Sequence, residues 1–216
     1  MTEPSVTVDG LTRHFRRGSE TITALDAVSL DLYAGQLTVA AGPSGSGKTT
    51  LLSILAGFES HDGGRVTRAG GLRWREVAFV PQALGLLDEL TTRENIEIAA
   101  VLDGTPDPAD TDRLMEQLEI AHLADRYPSQ TSGGEQQRTA IARALRLHPP
   151  LLLADEPTGH QDRARVDLVL QVLREHAYAG NTVLISSHDE AVIASADRVL
   201  TLEDGRLGGW SGPRRR

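Results

Sequence analysis

Short apolar runs alternate with amphipathic segments along most of the chain, and the two patterns predict different elements. Buried strands are predicted where a run is continuously apolar, at residues 37–41, 77–80, 151–154 and 182–186. Half-exposed strands are predicted where apolar and polar residues alternate, at residues 6–8, 27–32 and 65–68. Helices are predicted where apolar residues recur with helical spacing, at residues 51–57, 94–102, 110–120, 132–145 and 163–178.

This order of elements predicts an α/β fold. Apolar strands that alternate with helices imply a mostly parallel sheet covered on both faces. The alternating strands imply an antiparallel β subdomain, and the central helices imply an inserted α-helical subdomain at about residues 84–146. We expect residues 1–216 to form a single domain whose end, at residues 208–216, is a loose tail with three solvated arginines.

Composition narrows the class of protein. The chain has 216 residues and a formal net charge of −8, which argues against nucleic-acid binding because such proteins carry a basic patch. The absence of cysteine excludes disulfides, zinc–thiolate sites and thiol catalysis. No apolar stretch approaches the roughly 18 residues of a membrane-spanning helix, and the N-terminus does not resemble a signal peptide. We therefore expect a soluble cytoplasmic protein that reaches a membrane only through a partner, without direct insertion.

A glycine-rich loop follows the predicted strand at residues 37–41 and precedes a predicted helix. Its residues are Gly42, Pro43, Ser44, Gly45, Ser46, Gly47, Lys48, Thr49 and Thr50. A strand followed by a glycine-rich loop and then by the N-terminus of a helix predicts a phosphate-binding loop. The glycines of such a loop let backbone N–H groups point into one concavity. Lys48, the sole lysine of the chain, would reach the β- and γ-phosphates of a nucleotide, and Thr49 would bind Mg²⁺. A flexible glycine–serine linker is the alternative.

Two carboxylates follow the apolar run at residues 151–154. Ligands of open α/β sheets bind at the carboxyl ends of the strands, where the glycine-rich loop also lies. We expect Asp155 to hold Mg²⁺ and Glu156 to polarise a water in line with the γ-phosphate. His188 follows the run at residues 182–186 at the same edge, where it could contact that phosphate. The alternatives are a strand capped by solvated acids and a structural histidine.

A second candidate anion site opens the predicted helix at residues 132–145. Ser132 and Glu135 fit a capping box, which by itself predicts a well-capped helix start. Gly133 and Gly134 are hard to explain by capping, because each glycine costs about 1 kcal/mol of helix propensity. They suit a helix start whose bare N–H groups face a phosphate. Since one chain cannot easily fold both anion sites onto one nucleotide, a second subunit is implied.

Taken together, these motifs resemble the ATP-binding subunit of an ATP-binding cassette (ABC) transporter, in the family's order and along nearly the whole chain. The matching segments are the Walker A loop at residues 42–49, the Q-loop at Gln82, the signature at residues 132–136, Walker B at residues 151–156, the D-loop at Asp162 and the H-loop at His188. Phe15 lies where the family places an aromatic residue that stacks on adenine. The motifs are similar to those of the MacB, LolD and FtsE group, whose members serve permeases that export peptides, antibiotics or lipoproteins, or signal to cell-wall hydrolases.

The resemblance implies a P-loop NTPase core that binds ATP and Mg²⁺ and hydrolyses ATP. It implies a homodimer with two ATP molecules, each bound by one chain's Walker A loop and the other chain's signature, whose closure drives an integral membrane permease. The residues that it implies for hydrolysis are Lys48, Gln82, Glu156 and His188, and those that it implies as metal ligands are Thr49, Gln82 and Asp155. The chain would then lie on the inner face of the cell membrane, held by its permease.

Three motifs depart from the family's pattern. Thr131 stands where the signature commonly has leucine, and Pro81 stands before Gln82 where phenylalanine or tyrosine is commoner. The D-loop is Gly159-His160-Gln161-Asp162 instead of Gly-Asn-Leu-Asp, which bears on the contacts across the dimer. The presence of Glu156 and His188 predicts an active site rather than a degenerate one.

Two other functions stay open from the residues alone. The first is a binding module that couples its ATP state to a septal or cell-wall complex without moving a solute. The second is an unrelated P-loop kinase or GTPase, although such an enzyme would have no use for residues 132–138.

Overall fold

The structure, a computed structural model, describes residues 3–69, 76–159 and 161–211, without the side chains of 209–211. Its strands are β1 (Val6–Arg17), β2 (Glu20–Leu32), β3 (Gln36–Ala41), β4 (Gly63–Arg68), β5 (Val77–Val80), β6 (Leu151–Asp155), β7 (Thr182–Ser187), β8 (Arg198–Glu203) and β9 (Arg206–Ser211). Its α-helices are α1 (Lys48–Ala56), α2 (Thr92–Asp103), α3 (Pro108–Gln117), α4 (Gly133–Leu145), α5 (Arg163–Tyr178) and α6 (Glu190–Ala194). Short 3-10 turns at Ala121–Leu123 and Pro128–Gln130 connect α3 to α4.

The strands form two sheets. The larger has the order β5–β6–β7–β3–β8–β9, and all its neighbours are parallel except β8 and β9. The smaller is antiparallel and has the order β2–β1–β4. The predicted α/β class, with a mostly parallel sheet and an antiparallel β subdomain, is confirmed.

Successive residues of the central strands point to opposite faces of the larger sheet, which separates two hydrophobic cores. In β6, Leu152 and Ala154 pack with apolar residues of α2, α3, α4 and α5. Leu151 and Leu153 instead pack with α1 and with the strands β1 and β2. Helix α1 therefore lies on one face of the sheet, and α4 and α5 lie on the other.

The predicted helices between β5 and β6 are present as α2, α3 and α4, while their division into a subdomain stays a prediction. Helix α3 ends at Gln117, earlier than predicted, because the chain turns at Glu119 with φ +53°. Strands β1 and β2 are much longer than the alternating pattern predicts. Register shifts between Val8 and Leu11 and between Leu11 and Arg13 interrupt the alternation, so a simple period of two cannot reveal the full hairpin.

The prediction of a loose tail from residue 208 is wrong for residues 208–211. These residues complete β9, which pairs with β8 so that Thr201 lies opposite Gly208. The strand is held in place because Leu207 packs against the core around α1. Residues 212–216, with the predicted solvated arginines, lie outside the described residues.

Candidate functional site

The glycine-rich loop joins the end of β3 to the start of α1 and is packed closely from behind. A Cβ atom on Gly42 would lie 2.1 Å from the Leu202 carbonyl oxygen, and one on Gly47 would lie 2.4 Å from the Ala24 carbonyl oxygen. Real Cβ atoms do not come so close, so both positions require glycine. The loop can therefore approach β2 and β8 closely while it curls towards the start of α1, as a phosphate-binding loop must.

Lys48 is the first residue of α1 and lies inside the curl of the loop. The residue is only 7% exposed, and its Nζ donates hydrogen bonds to the carbonyls of Gly42 at 2.8 Å and Pro43 at 2.9 Å. Among the described residues, the buried Ser46 Oγ has no hydrogen-bond partner. A buried ammonium and an unpaired buried hydroxyl, both at a helix N-terminus, suit a bound phosphate.

Asp155 ends β6 beside the first turn of α1. One of its carboxylate oxygens, Oδ2, accepts a hydrogen bond from Thr49 Oγ1 at 2.7 Å. The other, Oδ1, accepts one from the Ser186 hydroxyl of β7. Asp155 is 2% exposed, so these two hydroxyls are the groups that compensate its burial. Ser186 is not among the site residues that the sequence predicts; the signal for it is a serine at the carboxyl end of an apolar strand next to the strand of Asp155.

Glu156 follows directly, in a conformation that aims it at the H-loop. Its φ of +50° is uncommon for a residue with a side chain, and its backbone N–H donates to Ser186 Oγ at 2.9 Å. Its Oε1 lies 2.9 Å from Nδ1 of His188. The structure therefore brings Thr49, Asp155, Glu156 and His188 into one hydrogen-bonded series, with Ser186 at its centre.

The signature segment caps α4 on the other face of the sheet from α1. Ser132 Oγ accepts from the Glu135 N–H at 3.4 Å, and Glu135 Oε2 accepts from the Ser132 N–H at 2.7 Å. The bond from the Ser132 backbone lowers the pKa of the Glu135 carboxyl, so Glu135 is an anion at neutral pH. The capping box leaves the N–H groups of Gly133 and Gly134, at the first two helical positions, without an intrahelical acceptor.

Gln82 and Phe15 have less defined surroundings. Gln82 is exposed and follows β5, whose Val80 pairs with Ala154 immediately before Asp155, so it belongs to the same sheet edge. Phe15 is half-buried in β1 opposite Ile22, and the guanidinium carbon of Arg13 lies 4.7 Å from the centre of its ring. Arg13 thus covers one face of the ring, and a base could stack only on the other.

The D-loop is attached to α4 and α5. Asp162 caps α5 by accepting from the Arg165 N–H at 3.1 Å. Gln161 Oε1 lies 3.4 Å from Nη1 of Arg138, a buried arginine of α4. His160 lies outside the described residues.

The donor set fits Mg²⁺. Thr49 and Asp155 offer hydroxyl and carboxylate oxygens, the ligands that this hard cation prefers, and Mg²⁺ commonly completes its shell with water and substrate phosphates. Within the described ranges, no cluster of three or more histidine, cysteine, aspartate or glutamate side chains could hold a metal alone. A metal at Asp155 would therefore depend on the nucleotide for part of its coordination.

The ABC transporter family model matches residues 25–159. The chain belongs to the ABC transporter family. The predicted family is thereby confirmed, and membership implies ATP binding and ATPase activity.

This ABC family member is similar in sequence to the following two proteins, among others. The macrolide export ATP-binding/permease protein MacB of Burkholderia pseudomallei (strain 1710b) is 38% identical over 97% of this chain, but the match spans only 34% of that relative. The lipoprotein-releasing system ATP-binding protein LolD of Gluconobacter oxydans (strain 621H) is 38% identical over 93% of this chain and 94% of its own length. The chain thus spans about a third of MacB and nearly all of LolD.

Two solved structures have the same fold as this ABC family member. The ATP-binding cassette MJ0796, in a dimeric post-hydrolysis state bound to ADP and Pi, is 30% identical and has a TM-score of 0.89 over 98% of this chain and 100% of its own. A dimeric structure of the same bacterial ABC transporter cassette is 31% identical, with a TM-score of 0.86 and the same coverage. In the described part of this chain, no helix is long and apolar enough to cross a membrane.

Proposed function

We propose that this ABC family member is the ATP-hydrolysing subunit of an export-type transporter and that it powers a separate integral membrane permease. The observation that carries the proposal is the hydrogen-bonded series that joins Thr49, Asp155, Glu156 and His188 at one edge of the sheet. The names of MacB and LolD support a cargo of the antibiotic or lipoprotein type. Attachment to the inner face of a membrane would follow from the permease.

Each residue of the site has a role in this proposal. The Walker A N–H groups and Lys48 bind the phosphates, and Thr49, Asp155 and Gln82 provide oxygen ligands for Mg²⁺, which when bound would neutralise charge on the transferred phosphoryl group. Glu156 accepts the proton of the attacking water as general base. His188, through its hydrogen bond to Glu156, orients that carboxylate and reaches towards the γ-phosphate.

The position of the signature supports a homodimer. The start of α4 and the start of α1 lie on opposite faces of the larger sheet, so a second copy is the natural source of a signature for each Walker A loop. The dimeric state of the similar cassette supports the same arrangement. ATP would be held between Walker A of one copy and Ser132, Gly133 and Gly134 of the other, and closure would move the permease.

Glu156→Gln tests the role of the general base. Removing it should lower kcat for ATP hydrolysis by about 10²- to 10⁴-fold and leave ATP affinity near the parent value, because the base acts only in the transition state. Glu175→Gln, an exposed glutamate on α5, is the matched control and should hydrolyse ATP like the parent. Parent-like hydrolysis by Glu156→Gln would exclude this assignment.

The same variant tests the dimer. Size exclusion of Glu156→Gln should show a dimer with ATP and Mg²⁺ and a monomer without nucleotide. A monomer at high protein concentration with ATP would contradict the proposal. Co-purification of a permease whose cargo stimulates hydrolysis in liposomes would support transport, whereas capture of a cell-wall complex with no cargo-dependent stimulation would support the regulatory alternative.

A further inference from the structure

The turn between β8 and β9 contains a buried residue, Gly205, although it is the tip of a hairpin. Asp204 and Gly205 form the whole connection, with φ angles of +47° and +76°, as a type I′ turn requires. Hairpin tips are normally solvent-exposed, yet Gly205 is buried. The turn lies against β2 on one side and against the Walker A loop on the other.

Backbone hydrogen bonds fix the turn on both sides. The Gly205 N–H donates to the carbonyl of Ser46 in the Walker A loop at 3.2 Å, and the Gly205 carbonyl accepts from the Asp26 N–H of β2 at 2.8 Å. Beside the turn, Nε and Nη2 of Arg206 lie 2.8 Å and 2.7 Å from Asp26 Oδ2. Gly205 therefore bridges β2 and a loop that is about 160 residues away in sequence.

The bond to Ser46 has a consequence for the next peptide group. A trans peptide is planar, so its C=O and N–H point in opposite directions. The described residues contain no cis peptide bond. With the Ser46 carbonyl held towards Gly205, the N–H of Gly47 must point the other way, away from the turn and towards the side of the loop where a phosphate would bind.

We propose that Gly205 is a positioning residue for the nucleotide: its N–H holds the Ser46 carbonyl and so aims the Gly47 N–H at the phosphates. This inference rests on the proposed function of the loop. A side chain cannot be added without disturbing the contact, since a Cβ at residue 205 would lie 2.9 Å from the Ala24 carbonyl oxygen. The turn would have to move away from β2, and the bond to Ser46 would lengthen.

Gly205→Ala tests the proposal against a matched control, Gly180→Ala. Gly180 has a φ of +98°, also in the region that disfavours side chains, but nothing lies within 4 Å of the added Cβ. Both variants should lose thermal stability. Only Gly205→Ala should bind fluorescent ADP about tenfold more weakly than the parent, a loss of about 1.4 kcal/mol. ADP is the suitable probe because it needs neither hydrolysis nor a second subunit. Equal affinity of the two variants would overturn the proposal.

Arg206→Ala keeps the test decisive if Gly205→Ala does not fold. It loosens the ion pair to Asp26 without adding atoms to the turn, and ADP affinity should fall by about two- to fivefold, the range of an exposed ion pair. Arg113→Ala, which removes an exposed ion pair to Asp110 on α3, should leave ADP affinity unchanged. Parent-like affinity of Arg206→Ala would count against the positioning role. Failure of the parent itself to bind ADP would instead refute the proposed function.

Discussion

Replacing Ser186 by alanine tests the hydrogen bonds that join the two carboxylates of the site. The hydroxyl donates to the buried Asp155 carboxylate and accepts from the Glu156 N–H at 2.9 Å. A hydrogen bond to a charged group contributes about 1.5–3 kcal/mol and a neutral one about 0.5–1.5 kcal/mol, so the variant should lose about 2–4.5 kcal/mol of unfolding free energy. Without the bond to its N–H, Glu156 also loses the contact that supports its φ of +50°.

Ser186→Ala should also lower the ATPase activity and the Mg²⁺ affinity of the site. Groups that orient ligands and bases commonly change metal affinity or activity by about 10–100-fold, and we expect kcat and the apparent affinity for Mg²⁺ to fall within that range. ATPase assays at varied Mg²⁺ concentration measure kcat and the Mg²⁺ affinity, and urea unfolding measures the loss of stability. Ser195→Ala, whose hydroxyl donates to the Val192 carbonyl at the end of α6, should cost about 1 kcal/mol of stability and leave kcat unchanged. If Ser186→Ala kept the parent kcat, the hydroxyl would have no part in arranging the site.

Three further predictions concern other parts of the chain. Lys48→Arg should weaken ADP binding by about tenfold or more, measured by fluorescence titration, because the loop encloses a compact ammonium and a planar guanidinium does not fit its place. Gln161→Leu should lower the unfolding free energy by about 1 kcal/mol in urea, because the buried Arg138 loses an acceptor. Burial lowers the pKa of His176, so the imidazole stays neutral in the folded chain at a pH where the unfolded chain already takes up a proton, below about pH 6.5. The free energy of unfolding should therefore decline as the pH falls from there towards the folded-state pKa. His176→Gln should flatten this part of the profile of unfolding free energy against pH.

The parts of the fold that the sequence predicts are those with strong local signals. Strands such as β6 and β7 are continuous apolar runs with polar ends, and α4 begins at a capping box that the structure contains. The Walker A loop is equally local, since its glycines, Lys48 and Thr49 all lie within residues 42–49. The position of Asp155 and Glu156 near this loop also follows from the sequence, because a parallel sheet places the carboxyl ends of its strands at one edge.

The parts that the sequence does not predict depend on contacts between distant segments. Ser186 is an ordinary strand residue until β7 is placed beside β6. The β8–β9 hairpin has a recognisable Asp-Gly turn, but its tight fit behind the Walker A loop becomes visible only when Gly205 lies next to Ser46. The full length of the β1–β2 hairpin is not predicted because bulges interrupt its alternation of apolar and polar residues. In each case the feature depends on tertiary contacts or on strand pairing, which the propensities of neighbouring residues do not predict.

The register of β6 against β7 shows how the site and the fold depend on each other. Asp155 pairs with Ser186, which places their side chains on the same face of adjacent strands. A shift by one residue would turn Ser186 to the other face, yet it would cost little hydrophobic energy because β7 is buried on both faces and Val183, Leu184 and Ile185 are all apolar. The direction of the shift matters for a different reason: a shift that placed Ile185 opposite Asp155 would leave the buried carboxylate without one of its two hydroxyl donors. The hydrogen bonds of Ser186 to the two carboxylate residues therefore also oppose this shift in how β6 and β7 pair.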